Sequence, residues 1–355
     1  MNAPNDIRAM LVESVTRLLK DHVDRKLLAA AKEKGWSAEL WQTLDEAEFP
    51  RVSIPEEAGG AGGTVSDLAA VLRVAGRYAA PVPLAETAML AGWMLAASGL
   101  PVPRGALAAG PAHRETLAAK RKGSGWTVTG ALGRVPWART ASRLVLLAKG
   151  PDGAIVACVD PAKCRIVPGR NLAGEPRDAV ALEDVAAEQA APAGPGVSAE
   201  SLRLRGALAR SVLMAGALER ILELAVEHAQ QRVQFGRKIG QFQAVQHEIA
   251  RLGGEVAVAV AAALSAAGAV ERGEDVTLAV ASAKIRTSEA AREGALIAHQ
   301  VHGAIGATDE HALHHSTLRL WAWREEYGAE AEWATALGQI VQERGAGSFW
   351  PTITA

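Results

Sequence analysis

The chain has 355 residues, 49% of them hydrophobic and 4% aromatic, and its formal net charge is −1. This length allows two or three packed units with a large core, and the near-zero charge argues against nucleic acid as a main partner. The two cysteines, Cys158 and Cys164, match neither a disulfide framework nor a zinc-binding spacing, which predicts a reducing, cytoplasmic location. The longest uncharged runs, 87–103 and 256–270, are too short to cross a bilayer, so no membrane span is predicted.

The first hundred residues carry a helical pattern. Apolar residues recur at helical spacing from Leu11 to Val23, and Ser37 is placed to cap a further helix. The glycine-rich run 54–63 lacks the lysine and the preceding strand of a phosphate-binding loop, so it is predicted to be a mobile connection. Residues 1–100 are therefore predicted to form a helical domain. Two more helices are expected at 66–77 and 85–98.

After residue 100, prolines and glycines become frequent and short apolar runs replace the long helical ones. Residues 126–130 alternate as a strand, and the runs 144–148 and 154–159 are continuous apolar strands. Residues 101–196 are therefore predicted to be a central β domain that ends in a Pro/Ala/Gly-rich linker at 191–196. Weaker strand signals cover 165–167 and 180–182.

From residue 198 the chain is helical again almost to its end. Runs of about 25 residues with an apolar stripe and short turns predict an antiparallel bundle over 197–355.

The least generic run is 232–246, a basic, glycine-containing turn between two predicted helices. Arg232, Arg237 and Lys238 lie within seven positions of one another. Cations at a helix end stabilise the macrodipole, but arginine also suits phosphate, and here an aromatic residue, Phe235, and several amides lie beside them. The residues alone leave both interpretations open: a solvated turn or part of a nucleotide site.

The run begins Arg-Val-Gln-Phe-Gly and continues at 242–246 as Phe-Gln-Ala-Val-Gln, and residues 300–311 read Gln-Val-His-Gly-Ala-Ile-Gly-Ala-Thr-Asp-Glu-His. Both segments, and the spacing between them, resemble the acyl-CoA dehydrogenase family. The resemblance implies an α+β multidomain fold with an N-terminal helical domain, a central β domain and a C-terminal four-helix bundle. It also implies α,β-dehydrogenation of an acyl-CoA with FAD, a tetrameric assembly, and electron-transfer flavoprotein as a possible acceptor.

In dimers of this family, the segment that resembles 232–243 reaches the FAD of the neighbouring subunit. The resemblance assigns Arg232 to the pyrophosphate. Ala304 departs from the second glycine of the family pattern, and its methyl group would either crowd the pyrophosphate or tighten the turn. The alternative is a helix-capping turn that binds nothing. The implied FAD-binding residues are Arg232, Gln234, Phe235, Ile239, Phe242, Gln243, Gln300, Gly303 and Ala304.

The flavin half of the chain's own site departs further from the family pattern. The family's Thr-Glu-Pro loop is absent from 107–117, and only Trp137 and Thr140 remain as weak flavin contacts. A buried tryptophan in the β domain is the alternative role for Trp137.

The catalytic base is also displaced. The family places a glutamate either at the start of the helix before the arginine segment, which falls near Gly206, or in a C-terminal Tyr-Glu-Gly motif. No carboxylate lies near Gly206. Glu326, followed by Tyr327 and Gly328, is one residue out of register with the second position, a rotation of about 100° on a helix. Glu326 is the candidate base, and a solvated acidic helix end is the alternative.

Several histidines lie between 299 and 315. His311 and His315 are four positions apart, but no Glu or Cys completes a metal set, so surface histidines and no metal site are predicted.

The leading hypothesis is a subunit that lacks the base in a heteromeric enzyme. Some bacterial members of the resembled family, including steroid side-chain enzymes, are heterotetramers with one FAD site per unlike pair. The alternatives are an active homo-oligomeric acyl-CoA dehydrogenase with Glu326 as base, and an interaction subunit without flavin.

Overall fold

A computed structural model of the protein describes residues 3–112, 115–273, 276–345, 347 and 351. Helices occupy both ends of the described chain, and a β-sheet lies between them. This order confirms the predicted α+β fold.

Polar caps mark where the N-terminal helices begin. Ser37 accepts a hydrogen bond from the amide of Leu40 (3.2 Å), as predicted, and Thr64 and Asp67 form a reciprocal capping box. The helices are α1 (Ala3–His22), α2 (Arg25–Lys34), α3 (Ala38–Glu46) and α4 (Val65–Arg77), then a π-helical segment (Glu86–Gly92) that continues into α5 (Trp93–Ala97).

The central region folds into a sheet that closes on itself. Its strands are β1 (Leu107–Gly110), β2 (Leu117–Lys122), β3 (Gly125–Pro136), β4 (Arg143–Lys149), β5 (Ala154–Val159), β6 (Arg165–Val167) and β7 (Arg177–Pro192). The spatial order is β1-β4-β2-β3-β7-β5, β6 pairs with β7, and a further pairing of β4 with β5 closes the ring. In that last ladder Leu146 lies opposite Ala157. The sheet encloses an apolar core separate from the core of the helices.

The C-terminal region is a bundle of long helices. Helices α6, α7 and α8 pack against one another, α9 packs against α6 and α8, and α10 packs on α8. The helices are α6 (Ala199–Gln231), α7 (Gln243–Arg272), α8 (Val276–His302), α9 (Leu313–Trp323) and α10 (Glu330–Arg344). Between α6 and α7 lie a hairpin of β8 (Val233–Gln234) and β9 (Arg237–Lys238) and a 3-10 turn (Ile239–Gln241).

Two glycines dock the N-terminal helices onto this bundle. A methyl group on Gly76 of α4 would lie 2.1 Å from the carbonyl oxygen of Leu213, and one on Gly216 of α6 would lie 1.8 Å from that of Arg73. The two helices therefore cross with their backbones in contact, which only glycine permits.

The strands β1 and β2 lie where the sequence does not predict them. They read Leu-Ala-Ala-Gly and Leu-Ala-Ala-Lys-Arg-Lys, which lack the β-branched and aromatic residues that signal a strand. At the other end of the sheet, β7 continues into the predicted linker 191–196 as far as Pro192.

Helix α7 is longer than its uncharged run suggests. It has 30 residues and is, among the described helices, the one that is long and apolar enough to span a membrane by length and composition. A core helix meets the same criteria; 33% of the apolar window of α7 is buried, and the helix packs along α6 and α8.

Candidate functional site

The hairpin between α6 and α7 presents its tip to solvent. Phe235 is 91% exposed, and both loop residues, Phe235 (φ 53°) and Gly236 (φ 79°), adopt the positive φ of a type I′ turn. The amide of Ile239 donates to the carbonyl of Arg232 (2.9 Å) and closes the loop. A bulky residue rarely adopts positive φ, and such strain is concentrated at functional sites. An exposed aromatic in this conformation favours a contact surface over a solvated cap.

The side chains of the hairpin support one another. The Arg237 guanidinium lies 4.1 Å from the centre of the Phe242 ring, and Phe235 meets that ring edge-on at 6.2 Å. With its amide oxygen turned toward Arg232, Gln234 accepts hydrogen bonds from Nη2 (2.6 Å) and Nε (3.2 Å). The cations are thus held in place on an exposed surface.

An apolar cleft of about 330 Å³ lies beside the hairpin. The cleft brings together predicted FAD-binding residues from two distant segments. The flat adenine ring of a nucleotide could lie in it, next to cations that suit phosphate. The predicted residues Arg232, Gln243, Gly303 and Ala304 are exposed but do not line the cleft. The predicted residues that line it are Gln234, Phe235, Ile239, Phe242 and Gln300. This surface therefore fits the nucleotide half of FAD.

A second feature, a buried ion cluster, lies where the three regions meet. Each member is at most 5% exposed, and the charges of its three arginines and three glutamates balance. The members are Glu86 of the π-helical segment, Glu175 and Arg177 at the start of β7, Arg210 of α6, Arg319 of α9, and Glu326 after α9.

Glu326 is held from two sides within this ion cluster. Arg177 donates to both of its oxygens, from Nε to Oε1 (2.7 Å) and from Nη2 to Oε2 (2.9 Å), and Arg210 Nε donates to Oε2 (2.6 Å). Asn171 adds a fourth bond to Oε1 (3.2 Å). Burial raises the pKa of Glu326, but the charges of Arg177 and Arg210 outweigh it and hold that pKa well below its usual range. The predicted base is therefore a fully paired carboxylate, and the alternative of a solvated helix end is wrong.

The remaining members complete the pairing. Arg210 also donates to Glu86, and Arg177 Nη2 donates to Glu175 (3.0 Å). Glu175 accepts a further bond from the Trp323 indole (2.9 Å) and pairs with Arg319 (3.2 Å). Each charge of the ion cluster has an opposite charge in contact, which is the condition for charges to lie inside a protein.

Tyr327 fills the space beside Gly206, the other family position for the base. A methyl group on Gly206 would lie 2.2 Å from the Tyr327 ring. The tyrosine is 3% exposed, and the Arg210 guanidinium lies 5.3 Å from its ring centre. Burial raises the pKa of Tyr327, so it stays neutral. A glutamate side chain at 206 would have no room in this arrangement.

Lys284 lies wholly buried close to the ion cluster. Its Nζ donates to the carbonyls of Trp323 (3.1 Å) and Arg324 (2.7 Å) at the end of α9. Burial lowers the pKa of Lys284 to about 7. Its charge therefore changes near neutral pH.

The candidate flavin-binding residues of the β domain, Trp137 and Thr140, make their contacts within the protein itself. Trp137 is 3% exposed, and the Thr140 hydroxyl donates to its carbonyl (3.0 Å). Arg139, between them, donates from its backbone and side chain to Asp178. These contacts do not fit a flavin ring stacked on Trp137. Of the segment 107–117, residues 113 and 114 lie outside the described residues.

The prediction of surface histidines is wrong. His302, His314 and His315 are at most 9% exposed, because α9 and the end of α8 pack into the bundle. His228, which the sequence analysis did not consider, lies next to His302 and His311.

Comparison with known proteins assigns the family. The sequence pattern of the acyl-CoA dehydrogenase N-terminal domain matches residues 5–102, and that of the C-terminal domain matches 200–327. Acyl-CoA dehydrogenase IpdE2 of Mycobacterium tuberculosis is 31% identical over 314 residues, 88% of this chain and 90% of the relative. The chain belongs to the acyl-CoA dehydrogenase family, as an FAD-dependent oxidoreductase or a subunit of one.

Solved structures agree with this fold. The ChsE4–ChsE5 complex from Mycobacterium tuberculosis superposes with a TM-score of 0.86 at 24% identity, over 98% of this chain and 99% of the other. A variant of the Tcur3481–Tcur3483 steroid ACAD also has a TM-score of 0.86, at 25% identity over 96% of this chain and 99% of the other.

The sequence analysis missed most of the ion cluster. Arg177 lies 149 residues from Glu326, and Arg210 lies 124 residues from Glu86. The one available signal was the group of arginines at 203–210, where the family can carry a carboxylate.

Proposed function

We propose that this chain is the subunit without a catalytic base in a heteromeric acyl-CoA dehydrogenase. It would complete the FAD site of an unlike family subunit that carries the glutamate. The observation that carries the proposal is the pairing of Glu326 with Arg177 and Arg210 inside the ion cluster.

A general base must reach the proton it removes and must have a pKa near the working pH. Glu326 meets neither requirement, because both of its oxygens accept bonds from arginine and its pKa is held low. The position at Gly206 offers no substitute, since Tyr327 occupies the adjacent space.

The hairpin surface supports the second half of the proposal. Arg232 and its neighbours are exposed, as residues that contact a cofactor held by another subunit must be. Arg232 would bind the pyrophosphate and the cleft lined by Phe235 and Gln300 would take the adenosine, while the flavin itself supplies the redox chemistry.

The proposal extends to the assembly and its setting, and the same comparisons support the assembly. The Tcur3481–Tcur3483 steroid ACAD is named for two chains, which supports a partnership of unlike subunits. The substrate would be an acyl-CoA from lipid or steroid degradation, the electron acceptor an electron-transfer flavoprotein, and the location the cytoplasm.

Co-expression tests the proposal. The chain is produced alone and together with an unlike family subunit, and bound flavin is measured from the visible spectrum and acyl-CoA oxidation from reduction of an artificial acceptor. We expect flavin and activity only in the complex. Stoichiometric FAD and acyl-CoA oxidation by the isolated chain would refute the proposal, and a complex without flavin would favour the scaffold alternative.

Variants of this chain test whether the hairpin contributes to FAD binding. Arg232→Ala with Phe235→Ala should leave the complex assembled but weaken its FAD binding at least tenfold. Arg165→Ala, an exposed arginine on β6, is the matched control and should bind FAD as the unaltered complex does. Equal FAD affinity in all three complexes would contradict the role given to the hairpin.

A further inference from the structure

Three histidines converge at one end of the bundle. His228 lies in the last turn of α6, His302 ends α8, and His311 precedes α9. Ring centres are 4.6 Å apart for His228 and His302 and for His302 and His311. One ring nitrogen from each residue lies within 4.8 Å of the other two. Residues from three elements thus bring imidazole nitrogens close together.

His302 is oriented as a metal ligand. Its Nδ1 lies 2.7 Å from the carbonyl oxygen of Ala298, which can only accept, so Nδ1 carries the proton. Nε2 then bears the lone pair. His302 is 5% exposed, and Nε2 makes no hydrogen bond of ordinary geometry among the described residues, although the backbone of Leu224 lies close to the ring. A metal-binding imidazole commonly donates its other N–H to a backbone carbonyl in this way.

We propose that His228, His302 and His311 bind a divalent transition metal ion of the zinc class. Three imidazoles suit Zn²⁺, Co²⁺, Ni²⁺ or Cu²⁺. His228 and His311 are half-buried and reach the surface, which leaves a fourth position open to water. This inference is independent of the proposed function.

Closing the site requires short inward shifts of the rings and a rotation of His228. Tetrahedral coordination at about 2.05 Å places the nitrogens about 3.3 Å apart, so nitrogens now within 4.8 Å move inward by about 0.8 Å at most. A metal lies in the plane of the imidazole that binds it. Because the His228 and His302 rings are nearly parallel, at 27°, half-buried His228 must turn about its side-chain bond. His311 Nδ1 also accepts a 3.2 Å bond from the amide of Leu313, which metal binding replaces.

The surroundings keep the rings in the neutral form that binds metal. Burial, followed by the neighbouring histidines and Arg220, lowers the pKa of His311 to about 4, and burial also lowers the pKa of His228 and of His302. Arg220 is paired with Glu223 (3.1 Å) and Glu227 (3.8 Å), which offsets its repulsion of a cation.

Such an ion would join the ends of α6 and α8 next to the loop before α9. These ends lead directly into the hairpin and into Gly303. The ion would therefore act as a structural clip at the edge of the exposed surface, with no part in the chemistry.

The test is metal binding by the full chain, purified with a tag that contains no histidine and stripped with a chelator. Co²⁺ is titrated while its visible absorption bands are followed, and Zn²⁺ is then used to displace it. We expect one equivalent per chain, and His302→Ala should weaken binding at least tenfold. His247→Ala, an exposed histidine of α7, should bind with unchanged affinity.

A second variant distinguishes loss of the metal site from loss of the fold. His311→Ala removes a ring that is only half-buried, so the fold should persist by far-UV circular dichroism while Co²⁺ affinity falls at least tenfold. Zn²⁺ should raise the melting temperature of the unaltered chain and not that of this variant. The proposal is overturned if the unaltered chain binds no Co²⁺ at micromolar concentration, or if both variants bind it as tightly as His247→Ala does.

Discussion

Glu326→Gln provides the sharpest test of the ion cluster. The change keeps the size of the side chain but removes its charge, so the cluster passes from balance to a net charge of +1. Three bonds from arginine and one from Asn171 are weakened or lost, and the new amide hydrogens face guanidinium donors. Removing one partner of a buried ion pair costs about 3–5 kcal/mol, and we expect a loss of unfolding free energy in that range at pH 7.

The stability cost of Glu326→Gln should depend on pH in a defined direction. The pKa of Glu326 is lower in the folded protein than the 4.5 of an ordinary glutamate, so its contribution is complete above about pH 4.5 and declines as the pH falls further. The difference in unfolding free energy between the unaltered chain and Glu326→Gln should therefore shrink between pH 5 and pH 3.

Urea unfolding followed by circular dichroism measures both effects. Glu325→Gln is the matched control, because Glu325 is the exposed neighbour and pairs only with Arg324 (3.4 Å) among the described contacts. Its cost should stay below about 1 kcal/mol at every pH. The reasoning fails if Glu326→Gln costs no more than Glu325→Gln, or if its cost is the same at pH 3 and pH 7.

Other substitutions probe the same region. Gly206→Ala drives a methyl group into the Tyr327 ring and should lower the unfolding free energy by about 1–3 kcal/mol, whereas Gly253→Ala on α7, where no described atom lies within 4 Å, should be neutral or stabilising in thermal unfolding. Burial lowers the pKa of Lys284 to about 7, against 10.5 for a free lysine, so between these pH values the unfolded chain binds more protons than the folded one. The free energy of unfolding measured in urea should therefore rise with pH across this window. The rise should disappear in Lys284→Met. Phe235→Ala should change the unfolding free energy of the isolated chain by less than about 0.5 kcal/mol, since the side chain is 91% exposed; a larger loss would mean that the ring is structural.

The sequence predicts what local pattern encodes. The cap at Ser37, the apolar strands β4 and β5 and the long bundle helices follow from spacing and side-chain type, and the structure has them. The hairpin is recognisable because its basic and aromatic residues lie close together in the chain. Strand β1 is not recognisable, because its alanines carry no strand preference and only pairing with β4 makes it extended.

Contacts between residues far apart in the sequence explain why the ion cluster and the histidine cluster were not predicted. Counting along the chain brings Glu326 close to a catalytic position, yet its surroundings are set by Arg177 and Arg210, more than one hundred residues away. The same holds for His228 and His302, which meet only because the ends of α6 and α8 meet. Burial and pairing of charges are properties of the packed chain, and no periodicity reports them.

The contact between Gly206 and Tyr327 also bears on how such a chain evolves. A mutation that installs glutamate at 206 meets the tyrosine ring, so it impairs folding before it can confer chemistry. Removing Tyr327 first opens a void against Arg210, whose guanidinium faces that ring. A base at this position therefore requires at least two coordinated substitutions, because each alone disturbs this packing. The packing of the Tyr327 ring thus limits which single substitutions could restore a catalytic carboxylate at position 206.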